Sequence, residues 1–299
     1  MEMLNGGNIV ELAVNAGYLA KTRQIGRTRS ADEQIRLCVE AGFRLLDCSV
    51  DAWEQNWEAQ ADEILNAAAK YGATVIQSHA PYNFYRKAPR EQFLKALERS
   101  ALAAVRMGVK DLVFHGDEYH PQEEGLFDPK EALEQAYAVL APSVDTLVSG
   151  GVRAALETVF EDRGPNLPRE QWSHFCGEFG ELEAILDRFH EPMVTCCWDF
   201  GHAKLACGNE NHAAAIRRMG GRITCTHVHD NYYARDLHLP PFLGDANWED
   251  LMPALREAGY CGALTFELVY GCLPEERIGE FLFQLRRTGE HLVRLFEAG

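Results

Sequence analysis

The chain has 299 residues, 46% apolar and 25% charged, a globular composition that excludes collagen-like, coiled-coil and disordered classes. Lys and Arg number 29 against 45 Asp and Glu, a net charge of −16, which disfavours nucleic acid and anionic membranes as partners. No stretch approaches roughly 18 consecutive apolar residues, so no membrane span is expected.

Short apolar runs predict strands over Ile9–Val14, Phe43–Leu46, Thr74–Gln77, Asp111–Phe114, Val152–Leu156, Met193–Trp198, Ile223–His227 and Gly262–Phe266. Most lack strict alternation, as suits strands buried on both faces of a parallel sheet. Amphipathic segments lie between them. Ser30, with Glu33 three residues on, predicts a capped helix over Ala31–Ala41. Helices are then expected over Glu58–Tyr71, Arg90–Met107, Pro129–Ser149, Trp172–Phe189, Asn211–Met219, Trp248–Ala258 and Glu275–Glu297. A strand followed by a helix, repeated along a chain without a linker, predicts a single α/β domain over 1–299, a (β/α)8 TIM barrel. A doubly wound open sheet is the alternative. The start of the chain, Met1 to Asn5, lacks a basic stretch leading into an apolar run. The nine cysteines are odd in number and form no C-x-x-C pair. Reduced thiols and a cytoplasmic location are therefore expected.

The strand ends carry the chemistry. His79, His115, Glu157, Asp199, His227 and Glu267 each close an apolar run, with His202, His229 and Asp230 just beyond. In a barrel these ends converge on one mouth. Three carboxylates after apolar strands are costly to bury without a cation. A mixed oxygen and nitrogen set without thiolate suits Mn²⁺, Zn²⁺, Co²⁺ or Fe²⁺ better than Ca²⁺.

At these residues the chain resembles the xylose isomerase-like TIM barrels, which include sugar isomerases and epimerases and the endonuclease IV group. The resemblance runs from about His79 to Glu267. In tagatose 3-epimerase-like members one metal is held by Glu, Asp, His and Glu of the last four strands. By that resemblance the ligands here are Glu157, Asp199, His229 and Glu267, while His202 and Arg235 contact substrate. The endonuclease IV group holds three zinc ions with more ligands, and its extra positions match His79, His115, His202, Asp236 and His238, with Tyr82 fitting its His-x-x-Tyr. Around a single metal these extra residues read as substrate contacts.

The resemblance thus implies a sugar or sugar-derivative isomerase or epimerase. Glu157 and Glu267 would form the acid–base pair, one removing a proton beside a carbonyl and the other returning it through a metal-stabilised enediolate. One divalent cation is expected, manganese first, with zinc, cobalt, magnesium or iron(II) as alternatives. A small carbohydrate is the expected partner, without nucleic acid or membrane, and a homo-oligomer is an open option. Two other readings stay open. One is a trinuclear-zinc phosphodiesterase of the endonuclease IV kind, for which Lys21, Arg23, Arg27 and Arg29 would supply local positive charge. The other is a lyase or dehydratase on the same barrel, including a C-glycoside-cleaving subunit. Trp53, Trp57, Tyr82, Phe84, Tyr85, Tyr232 and Tyr233 are candidates for stacking on sugar C–H faces.

Overall fold

A computed structural model describes residues 10–20, 28–83, 88–116, 127–160, 175–270 and 273–299. Eight parallel strands form the centre: β1 (Leu12–Asn15), β2 (Leu45–Asp47), β3 (Thr74–His79), β4 (Asp111–His115), β5 (Arg153–Glu157), β6 (Val194–Asp199), β7 (Ile223–His227) and β8 (Leu264–Phe266). Their order is β7-β6-β5-β4-β3-β2-β1-β8. The remaining seam closes just past β7, where Val228 bridges Phe266 in parallel and donates its N–H to Thr265 at 2.7 Å. The open sheet is thereby excluded.

The described helices are α1 (Ala31–Glu40), α2 (Trp57–Tyr71), α3 (Arg90–Met107), α4 (Pro129–Ser149), α5 (Phe179–Phe189), α6 (Phe200–Cys207), α7 (Asn209–Met219), α8 (Trp248–Glu257) and α9 (Ile278–Ala298). None is long and apolar enough to cross a membrane. Local chemistry sets their ends. The Ser30 hydroxyl accepts from Glu33 N–H while the Glu33 carboxylate accepts from Ser30 N–H, the reciprocal cap expected there. Asp128 caps α4, with Pro129 in its first turn. Gly72 and Gly108 end α2 and α3 in the left-handed conformation. The helices pack large side chains such as Leu46, Phe114, Leu156, Trp198, Trp248 and Phe266 between themselves and the barrel wall.

The inside of the barrel is layered. Side chains at alternate strand positions share one face. Near the N-terminal end Arg153 donates two 2.6 Å hydrogen bonds to Asp111, which also accepts from Thr224. In the next layer Val113, Ala155, Cys197 and Cys225 form a separate cluster of modest side chains. Two residues further up come His115, Glu157, Asp199 and His227. The same alternation carries β1, β2 and β3 to Asn15, Asp47 and His79.

Candidate metal centre and the cavity above it

Glu157 is the hub. It is 1% exposed, and four imidazoles surround its two oxygens. His79 Nε2 and His115 Nε2 lie 3.0 and 3.3 Å from Oε2, while His227 Nδ1 and His202 Nδ1 both lie 3.1 Å from Oε1. His227 Nδ1 also stands 3.5 Å from Glu267 Oε2 and 3.7 Å from Asp199 Oδ2. Glu157, Asp199, His227 and Glu267 are all buried, and each offers one donor atom within 4.8 Å of the others. His227, a strand-end histidine that the resemblance left without a ligand role, stands in this quartet where the resemblance implied His229.

His229 sits one layer further out. Its Nε2 is 2.9 Å from Asp199 Oδ1, and its ring stacks on His238 at 3.9 Å. It belongs to a second donor group with His202, Asp236 and His238, and a third group joins His79, Glu157 and His227. Glu157 and His227 are thus shared between two groups.

The hydrogen-bond chemistry of these histidines calls for positive charge. A neutral imidazole has one N–H and one lone pair. Yet His79 Nδ1 faces the Ala80 carbonyl at 2.6 Å while its Nε2 faces Glu157. His238 faces the Glu267 carbonyl with Nδ1 at 3.1 Å and Asp236 with Nε2 at 3.2 Å. Both nitrogens meet acceptors, so a second proton or a cation must stand on one side. Burial works against charging these rings, but the carboxylates prevail. Asp199, Asp236 and Glu157 hold His202 well above the usual histidine range, Glu267 and Glu157 do the same to His227, and Asp236 and Glu267 bring His238 to about 9. Reciprocally, burial opposes the charge on Glu157, but His227 and His115 hold it well below the carboxylate range. A divalent cation would supply that positive charge, and the nitrogen and oxygen donors fit one.

Above the donors opens a cavity of about 550 Å³, lined by His79, His115, His202, Asp236 and His238 together with Tyr18, Trp53, Tyr82 and Phe160. Tyr82 lies flat on His115, with ring centroids 4.8 Å apart. Among the other predicted residues, Arg235, Tyr232 and Tyr233 are exposed and lie outside the cavity lining. The Arg29 guanidinium is buried and committed to the Leu19 carbonyl and the Glu275 carboxylate. Lys21, Arg23, Arg27, Phe84 and Tyr85 lie outside the described residues. Sequence reasoning missed Asn15, whose amide is 3.5 Å from Glu267 Oε1, and Asp47. Both end apolar strand runs, the same signal that identified the others.

The loop from β7 to α8, which carries Asp236 and His238, is built around Asp230. That buried carboxylate accepts from the N–H groups of Asn231, Phe242 and Ala246 and from Trp248 Nε1, at 2.8 to 3.2 Å. Buried Lys204 adds a bond to the Asn231 carbonyl and an ion pair with Asp245. His238 itself has φ +46°, a left-handed conformation maintained by the surrounding bonds.

A family model described as "Xylose isomerase-like TIM barrel" matches residues 35–286. The protein y4fM of Sinorhizobium fredii (strain NBRC 101917 / NGR234) is 34% identical over 183 residues, 60% of this chain and 53% of its own. The chain thus spans about half the length of that relative. Among solved structures, a D-psicose 3-epimerase studied in the presence of D-fructose superposes with TM-score 0.73 at 15% identity, covering 95% of this chain and 99% of its own. The IolI protein with a bound zinc atom superposes with TM-score 0.69 at 16% identity, covering 96% and 99%. At these identities the likeness is one of fold.

Proposed function

The chain belongs to the xylose isomerase-like TIM barrels, and from that premise we propose that it is a metal-dependent isomerase or epimerase of a small sugar or sugar derivative. The carrying observation is the buried quartet of Glu157, Asp199, His227 and Glu267 beneath a cavity walled by aromatic rings. The quartet would hold the cation, with manganese, zinc, cobalt, magnesium or iron(II) as candidates. When bound, such an ion polarises adjacent carbonyl and hydroxyl oxygens of a substrate.

The protein's own groups do the rest. Glu267 and Glu157 rise from β8 and β5, three strands apart in the closed barrel, so their carboxylates approach a bound sugar from different sides. Glu157 is crowded by four imidazoles at 3.0 to 3.3 Å, whereas Glu267 has looser contacts, the Asn15 amide 3.5 Å from Oε1 and His227 and His238 3.5 and 3.8 Å from Oε2. Glu267 is therefore the freer base to remove the proton beside the carbonyl, and Glu157 passes a proton from the imidazolium side chains against it to the reacting centre from the other side. His79, His115 and His202 line the same cavity and donate to substrate oxygens as negative charge develops on them. Tyr18, Trp53, Tyr82 and Phe160 cover the apolar ring face and exclude water. The test is solvent deuterium exchange over a panel of ketoses and keto-sugars in Mn²⁺ buffer. The wild type is expected to exchange the α-proton of at least one sugar, and Glu267→Gln to lose that exchange while keeping its circular dichroism spectrum. Normal exchange in the variant sinks the acid–base roles, and silence across the panel with metal bound sinks the isomerase reading.

The two further donor groups favour a second reading, hydrolysis of a phosphodiester with several cations. The net charge of −16 and the commitment of Arg29 to Glu275 weigh against a polyanionic substrate. Near three equivalents of zinc together with nicking of an abasic duplex would establish it.

A further inference from the structure

We infer that Asp47 is a positioning residue for His227: across the barrel interior it accepts a hydrogen bond from Nε2–H and so leaves the Nδ1 lone pair directed at the cation. This rests on the proposal that the quartet holds a metal. Asp47 ends β2 and is fully buried. One of its oxygens accepts from the Gln77 amide at 3.2 Å and stands 3.7 Å from His227 Nε2. Its other oxygen and His227 Nε2 are both buried without a hydrogen-bond partner. The unpaired Nε2 therefore stands just outside bonding distance of a buried carboxylate that still has one oxygen without a partner, and a slightly closer approach of that carboxylate completes the bond.

Neighbouring groups fix the direction of the bond. The Thr265 hydroxyl donates to Gln77 Oε1 at 3.2 Å, so the amide's N–H side is turned to Asp47, and the carboxylate is anchored from β3 and β8 at once. On the other edge of the imidazole, Nδ1 meets the oxygens of Glu157, Glu267 and Asp199. An imidazole ligated through Nδ1 carries its single proton on Nε2, where Asp47 waits. Carboxylates placed in this way behind metal-bound histidines fix the tautomer and raise ligand basicity.

The probe is Co²⁺ alone, titrated into the full-length protein and followed by its visible absorption. Asp47→Asn is expected to bind Co²⁺ roughly 10- to 100-fold more weakly and to shift the band, because Asn presents an amide that competes for the wrong tautomer. Thr265→Val, which frees Gln77 and so loosens the anchor of Asp47, is expected to weaken Co²⁺ binding in the same direction but by less than Asp47→Asn. A merely structural role predicts instead that Asp47→Asn loses stability with an unchanged Co²⁺ spectrum, and that result overturns the proposal. Should Asp47→Asn not fold, long-range proton–nitrogen NMR of the Zn²⁺-loaded wild type reads the tautomer directly, with His227→Gln for assignment. A proton on Nε2 supports the inference and one on Nδ1 overturns it. A wild type that binds no Co²⁺ or Zn²⁺ removes the cation reading itself, and this inference falls with it. Binding that is indifferent to Asp47→Asn removes this inference alone.

Discussion

Trp53 shows how a single residue is prepared for a ligand before any ligand arrives. Its ring stacks on buried Phe93 at 6.0 Å, while the guanidinium of Arg99 gathers the carbonyls of Ala52, Trp53 and Glu54. Asp51 accepts from the Trp53 N–H at 3.2 Å. The indole is nevertheless 40% exposed and lines the cavity. A ring held on one face and open on the other loses little freedom when a sugar stacks on it. Trp53→Ala is expected to raise KM about 3- to 10-fold, matching ~0.5–1.5 kcal/mol for such a contact, with kcat within about twofold. Steady-state kinetics on a sugar that exchanges in deuterium oxide checks this, and an unchanged KM removes the platform role. The pair His227 and His229 carries a different lesson. Both follow the strand pattern, and spacing alone cannot rank them. Two residues along a strand is about 6.6 Å of height, and only His227 is level with Asp199, its register partner.

At the scale of elements, α6 was invisible to sequence reasoning because it is short and begins with Phe200 and Gly201 rather than an amphipathic stretch. Its cap is a site residue: Asp199 Oδ1 accepts from His202 N–H at 2.7 Å. One carboxylate thus starts a helix and faces the donor quartet. Gly201 is required there, since a Cβ would fall 1.9 Å from the His229 ring. Behind α6, His212 on α7 is buried, accepts from Trp198 Nε1 at 3.2 Å and leaves its own Nδ1 without a partner. Burial pushes its pKa down to about 3, from 6.5. The unfolded chain takes up that proton as pH falls below 6.5, whereas the folded chain refuses it until near 3. Stability is therefore present above 6.5 and declines through the window between the two values. Relative to His212→Leu, the wild type is expected to lose about 2 kcal/mol more between pH 7 and pH 5. Urea denaturation of both proteins at the two pH values measures this. Parallel losses would show that His212 does not titrate on unfolding.

Across the whole molecule, what was legible in the sequence was local, and what was not was register. Apolar runs, the Ser30 cap and Pro129 at a helix start mark strands and helices because each acts within a few residues. The height of a side chain inside the barrel depends on pairing between strands far apart in sequence. Two irregularities, between Leu46 and Asp47 and between Cys196 and Cys197, reset it where Asp47 and Asp199 enter the site. The product is a concentration of charge that a barrel without a cation must neutralise by protonating its imidazoles. This makes the proposed metal a matter of stability as well as chemistry. A cation bound only by the folded state at 100 times its Kd adds about 2.7 kcal/mol, which for a domain of this size corresponds to roughly 5 °C in Tm. Mn²⁺ or Zn²⁺ is expected to raise Tm by that order, and a chelator to reverse it. Because protons compete with the cation for the same nitrogens, the gain is expected to shrink from pH 8 to pH 6. In Asp199→Asn it is expected to fall to within about 1 °C. Thermal scans with and without chelator decide the matter: a Tm indifferent to metal at pH 8 would mean that the carboxylates and imidazoles of the mouth neutralise one another unaided.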